Sequence, residues 1–281
     1  MIFCDYTLAI VILGTALLGM CAGAIGTFTF LRKQSLIGDA LAHACLPGII
    51  ASCLITGSKE PSVLFLGASL AACCGLLCIH GVTHYTRIKH DTILGIVLSV
   101  FFGCGLLLIS IFSKHPHMQI SSIASFMFGS ASSFNIREIK LIVVVAIITC
   151  TIIFLFFKEF KMISFDYQFA KQVGLPVNRL NILFKVLLVT TIIIGLQTVG
   201  VILMSTLLIA PAVAARQWVI RCEPMILLSM FFAASGAVIG SYISSIYPHV
   251  PTGPVIVLIL SIYVLISIIG SRLFNYHKNY I

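Results

Sequence analysis

Asp39 and His43 are the residues best placed to do chemistry in this chain. They stand four apart in the run GDALAHACLPG (38–48). On a helix that spacing puts a carboxylate and an imidazole on one face, about 6 Å apart along the axis. One oxygen and one nitrogen donor suit Mn²⁺, Fe²⁺ or Zn²⁺, whereas a copper(I) site would use thiolate or thioether sulfur. Cys45 lies well off that face. Two ligands from one chain leave the shell open, as a site that must release its ion requires, and a second chain could complete it. The other use of the pair is structural, a carboxylate–imidazole hydrogen bond near a water-accessible end of its segment.

Other histidines carry weaker signals. His80 and His84 also stand four apart, near Cys78 and His90. They read mainly as interfacial side chains, with a role in metal release as the sharper alternative. His115 and His117 flank Pro116 in a polar link, where solvated loop histidines are the ordinary case. The chain lacks GxxxxGK[ST] for nucleotide, HExxH for a metalloprotease and GxSxG for a serine nucleophile. Any ATP hydrolysis must therefore be done by a separate chain.

The elements that position these residues follow from composition. Of 281 residues, 60% are hydrophobic and 9% charged, with a mean hydropathy of +1.15. Soluble domains carry about 25% charged residues, so this is an all-α polytopic membrane protein. At about 20 residues per span there is room for roughly nine spans and for no soluble domain. The net charge of +9 sits in short links between apolar runs, where it signals topology rather than nucleic-acid binding. Cys21, Cys45, Cys53, Cys73, Cys74, Cys78, Cys104 and Cys150 lie in apolar runs without a CxxC pair and read as small hydrophobes. The start, MIFCDY, lacks the basic stretch of a cleavable signal, so the first run is expected to stay as a span.

Uninterrupted apolar length places spans near 8–31, 36–56, 62–83, 92–112, 138–157, 183–200, 201–216, 225–246 and 254–271. The sixth and seventh share too few residues for two full crossings. One of them must be short, broken at Gly195 or Gly200, or extended into the flanking link; eight spans is the alternative count. With nine spans and the N-terminus outside, 13 of the 17 Lys and Arg fall in inner links, Arg32, Lys33, Arg87 and Lys89 among them. The outer links hold Lys59, Lys114, Arg137 and Lys140. That asymmetry predicts N-outside and C-inside.

A lone central span (138–157) then separates two groups of four that cross in opposite directions: 8–112 as first half, 183–271 as second half of one transmembrane domain. This is the layout of an inverted repeat. Segment two is expected to be interrupted at Pro47 and its counterpart at Pro211. Matched breaks point to a transport pathway, because proline frees carbonyls that only a protein-lined cavity tolerates. Met204 and Ser205, near Pro211, could line that path opposite segment two, although small residues also serve helix packing. The stretch QISSIASFMFGSASS (119–133) is too short and polar to span and reads as a re-entrant or surface segment.

The one sizeable inner link, KEFKMISFDYQFAKQVGLPVNRLNI (158–182), reads as a docking element. Asp166 can cap a short helix running through Ala170 and Lys171, and Gly174 with Pro176 would end it. Phe165, Tyr167 and Phe169 supply aromatic knobs for a partner's groove. The alternative is an amphipathic loop lying on the membrane.

Four separated blocks, GTFTFLRKQSLIGDALAHACLPG (26–48), SFDYQFAKQVGLP (164–176), VGVILMSTLLIAPAVAAR (199–216) and PTGPVIVL (251–258), resemble the membrane permeases of bacterial ABC importers for manganese, zinc and iron. The resemblance covers nearly the whole chain. It implies the fold of type II importers, a bacterial inner-membrane location, a dimer with itself or with a related permease, and two cytoplasmic ATP-binding subunits. It also implies an extracytoplasmic metal-binding protein that delivers the ion. By resemblance, 164–176, with Asp166, Phe169, Gly174 and Pro176, would be the coupling element, and Asp39 with His43 would fall in the metal pathway. The chain itself needs no cofactor; the metal is substrate. Cys45 departs from the ordinary apolar residue expected in the histidine block. Two rivals are disfavoured. A gradient-driven transporter should carry acidic residues in several spans, and an intramembrane enzyme would need a nucleophile or a fuller metal site.

Overall fold

A computed structural model describes residues 6–57, 60–112, 136–247 and 250–278. His115, His117 and the 119–133 stretch lie outside them. Among the described residues, nine long helices and two short ones follow in order: α1 (Tyr6–Leu31), α2 (Ile37–Thr56), α3 (Pro61–Tyr85), α4 (His90–Phe112), α5 (Ile136–Leu155), α6 (Phe157–Phe165), α7 (Tyr167–Gln172), α8 (Val177–Val199), α9 (Val201–Trp218), α10 (Cys222–Ile246) and α11 (Thr252–Lys278). Among the described residues, eight of the nine long helices are long and apolar enough to cross a membrane. The ninth, α9, has 18 residues and ends in Arg216-Gln217-Trp218.

The crowding expected between the sixth and seventh spans is resolved in two ways. Helix α8 starts at Val177, taking the last six residues assigned to the 158–182 link, and α9 is short. The break between them is Gly200, at φ +93° and ψ 167°, a conformation that glycine adopts without a Cβ clash. Gly195 stays helical, packed against Met204.

The prolines behave differently from expectation. Helix α2 runs on through Pro47 and α9 through Pro211. Each proline removes one ladder bond, but the flanking bonds hold. A methyl on Gly105 of α4 would lie 3.2 Å from Leu46 Cβ and 3.6 Å from Pro47 Cδ. Pro47 is a site of close helix approach, and neither proline interrupts its helix.

Small residues let the backbones meet. Gly19 and Gly23 of α1 face the carbonyls of Ala233 and Ser229 on α10, and Ser229 Oγ donates to the Gly23 carbonyl at 2.9 Å. Without a hydrophobic drive between helices in lipid, such close contact and buried hydrogen bonds hold a bundle together. Helix α2 packs on α3 and α4, and its counterpart α9 packs on α10 and α11, the arrangement a four-plus-four repeat requires. Leu66, Leu70 and Leu77 on α3, Val100 and Leu107 on α4, and Val144, Ile147 and Phe154 on α5 point outward, as side chains solvated by lipid do.

Side-chain bonds gather the basic links at one end of the bundle. Arg32, after α1, reaches Ser164 of α6 and Asn181 of α8. Lys161 of α6 pairs with Glu223 of α10. Trp218 at the end of α9 donates to Ser267 of α11 at 3.0 Å. The clustering matches the side the charge count assigns to the cytoplasm.

Candidate metal pathway and coupling surface

Asp39 and His43 sit in the first two turns of α2, near this basic end. His43 Nε2 lies 3.4 Å from Asp39 Oδ1, with the side chains 19% and 31% exposed respectively. An ion about 2.1 Å from each atom would subtend about 110° at that separation, close to tetrahedral. The ring of His43 meets Phe102 of α4 edge-on at 4.8 Å between centroids. Its Nδ1 is buried with no hydrogen-bond partner among the described residues, so no acceptor fixes which nitrogen carries the proton. Cys45 is fully buried in the core, away from the pair. Among the described residues no third His, Cys, Asp or Glu joins these two. Among the described residues the pair offers one oxygen and one nitrogen donor, and both side chains are partly exposed.

Pro47 is half-buried one turn beyond His43, Ser205 is half-buried in the second turn of α9, and Pro211 is buried in the same helix. Met204, beside Ser205, is fully buried against Gly195 and so packs the core. Helices α2 and α9 touch, with a methyl on Gly38 falling 2.7 Å from Leu208 Cδ1.

The 157–177 segment is built by local rules. Asp166, in extended conformation, accepts the Phe169 N–H at 2.9 Å and caps α7. At the far end the Leu175 N–H bonds the Ala170 carbonyl and the Gly174 N–H bonds the Lys171 carbonyl. Gly174 is left-handed, at φ +85°. This is a Schellman stop, and it explains glycine there. Pro176, at φ −75° and ψ 65°, forms an inverse γ-turn closed by the Val177 N–H on the Leu175 carbonyl at 2.8 Å, and α8 begins at once. Ala170 is buried beneath, while Phe165, Tyr167, Phe169 and Val173 stand exposed outside the spans. Beside them Tyr167, Lys171, Leu175, Pro176 and Arg179 line an open cleft of about 280 Å³. A surface this apolar and this basic, held by two stops, is suited to receive a partner.

Sequence reasoning missed Arg32, which had counted only as a topology charge. Its Nε donates to Ser164 Oγ at 3.1 Å and its Nη1 to Asn181 Oδ1 at 3.0 Å, and its guanidinium lies 4.2 Å from the Phe184 ring centroid. Burial pushes its pKa down to about 10, which leaves it charged at neutral pH. Phe28, Phe157, Phe160 and Phe184 pack beside it. The fork joins the start of the α2 block to the α6–α8 block. The signal was the Phe-rich spacing of 28, 157, 160 and 184, legible only once the helices are together.

This bundle is that of the membrane permease of an ABC importer. Its fold is that of type II importers. A metal-chelate-type ABC transporter in an inward-facing conformation overlays with a TM-score of 0.75 at 16% identity, over 92% of this chain and 85% of that one. The chain belongs to the ABC 3 transport family, whose model matches residues 5–271, and is thus a multi-pass membrane transport subunit. It is 41% identical to the zinc transport system membrane protein TroC of Treponema pallidum, covering 95% of this chain and 90% of that one. It is 42% identical to the manganese transport system membrane protein MntC of Bacillus subtilis over 92% of this chain, but spans only 60% of that relative. A chain of PsaBC from Streptococcus pneumoniae in complex with a Fab overlays with a TM-score of 0.81 at 32% identity, over 94% and 91%.

Proposed function

We propose that this chain carries a divalent transition metal, manganese, zinc or iron, into the bacterial cytoplasm as the permease of an ATP-driven importer. The observation that carries the reading is the Asp39–His43 pair, an oxygen and a nitrogen donor 3.4 Å apart on a half-exposed face of α2. Its donor chemistry suits those ions. The names of the relatives, manganese for MntC and zinc for TroC, favour the first two.

In this reading cytoplasmic ATP-binding subunits dock on Asp166, Phe169, Gly174 and Pro176 and their neighbours. An extracytoplasmic metal-binding protein supplies the ion. A second permease, identical or related, completes the shell that one chain leaves open. ATP-driven closure of the docked subunits moves the 157–177 segment, and the Arg32 fork carries that movement to α2. The halves then rock about the pathway between α2 and α9, where Pro47, Ser205 and Pro211 lie.

The test is ATP-dependent uptake of Mn²⁺, Zn²⁺ and Fe²⁺ into proteoliposomes holding the chain with its ATP-binding and metal-binding partners. Uptake of one of these metals, lost in His43→Ala, supports the reading. Absence of uptake for all three, with the complex assembled, overturns it.

A further inference from the structure

Helices α1 and α5 pack against each other, and two side-chain pairs fix their register. Cys21 Sγ lies 4.0 Å from Cys150 Sγ. Seven residues further along each chain segment, the rings of Phe28 and Phe157 meet at 6.1 Å between centroids. The shared offset means that α5 and the start of α6 run parallel to α1 and in step with it. Gly19 and Gly23 turn the opposite face of α1 toward α10, which leaves Cys21 facing α5. Cys21 is 2% exposed. Cys150 is half-buried and stands beside Ile147 and Phe154, which point outward into lipid.

The pair lies deep in the membrane. Cys21 comes eleven residues before Arg32 at the basic end, about 16 Å along the helix and so near the middle of a hydrocarbon core about 30 Å thick. Charged reagents are excluded at that depth. A neutral oxidant dissolved in the lipid meets the half-buried Cys150 first.

We propose that Cys21 and Cys150 are a disulfide-forming pair, closed by a neutral, lipid-soluble two-electron oxidant of the halogen or hypohalous acid class. With molecular iodine, the Cys150 sulfur displaces iodide to give a sulfenyl iodide and HI. The Cys21 sulfur then attacks that sulfur, the second iodide leaves with the Cys21 proton, and the S–S bond forms. Two thiols lose two electrons, and one iodine molecule becomes two iodides. Rotation of the two side chains closes the gap from 4.0 Å to a bond of about 2.0 Å.

The bond would act on the docking segment. The backbone ladder runs on from α5 into α6 through Phe156, whose N–H bonds the Ile152 carbonyl and whose own carbonyl takes the Phe160 N–H. A link at Cys150 therefore ties to α1 the arm that ends in the 157–177 segment. Arrest of transport by that tie rests on the function proposed above; the ability of the pair to close does not.

The test treats proteoliposomes holding the full chain and its ATP-binding and metal-binding partners with iodine. The chain is then unfolded, its remaining thiols are capped with N-ethylmaleimide, and the digest is mapped by mass spectrometry. A linked Cys21–Cys150 peptide, split by dithiothreitol, is expected. Capped Cys21 and Cys150, in chains whose other cysteines have been oxidised, overturn the pair. Metal uptake should fall several-fold after iodine, recover once dithiothreitol has acted and been removed, and resist iodine in Cys150→Ala. Cys150→Ser, closer in size and polarity, repeats the comparison where the alanine variant folds poorly. Unchanged uptake with most chains linked overturns the arrest. Absence of uptake before oxidation counts against the proposed function, and the linked peptide still decides the pair.

Discussion

Arg32 Nη1 and Asn181 Oδ1 are 3.0 Å apart, across 149 residues of sequence, and their bond joins the link before α2 to the second turn of α8. The same guanidinium holds Ser164, two residues before the Asp166 cap. One planar fork thereby ties the link between α1 and α2 to α6 and α8. Lysine has neither the fork nor the delocalised face that rests on Phe184.

Arg32→Lys should therefore weaken the junction. Each hydrogen bond from a charged donor is worth about 1.5–3 kcal/mol in such settings, so a drop of several degrees in the melting temperature is expected. The lone tryptophan, Trp218, reports it by fluorescence. A melting curve identical to wild type would show that the fork is ornamental to stability.

Asp39→Ala and His43→Ala should abolish metal uptake while leaving the permease assembled with its ATP-binding partners. Each removes one of two donors 3.4 Å apart. Uptake in proteoliposomes, alongside co-purification of the partners, checks this. Wild-type uptake in both variants would reduce the pair to a structural contact.

Gly174→Val should separate ATP hydrolysis from transport. A β-branched residue at φ +85° carries a cost of about 1–2 kcal/mol, and the Schellman stop under the docking surface would loosen. Asn tolerates that conformation, so Gly174→Asn should retain stimulation of ATPase activity by the metal-binding protein. Equal stimulation in the Val and Asn variants would count against a coupling role for this turn.

Gly26→Ala should destabilise the bundle, since its methyl would lie 1.8 Å from the Leu208 carbonyl oxygen. Helices α1 and α9 would have to part, at an overpacking cost of about 1–3 kcal/mol. The thermal midpoint in detergent decides it, and Gly81→Ala is the control because its added methyl meets no atom within 4 Å.

The sequence by itself determined the membrane class, the spans apart from the crowded sixth and seventh, and the Asp39–His43 pair. Apolar length and a spacing of four are local properties, readable wherever the helix ends up. It determined the capped segment at 166–176 for the same reason: Asp166, Gly174 and Pro176 act on backbone within a few residues of themselves. Only tertiary structure decided that Pro47 and Pro211 leave their helices continuous, because that depends on whether a neighbour such as Gly105 makes room for the ring. Likewise only tertiary structure turned Arg32 from a topology charge into a clasp, because its partners stand 132 and 149 residues away. The register of α2 on α3 comes from Gly48 meeting Gly67 and Ala44 meeting Gly75. Contacts between separate helices follow from packing, which no spacing along one helix encodes.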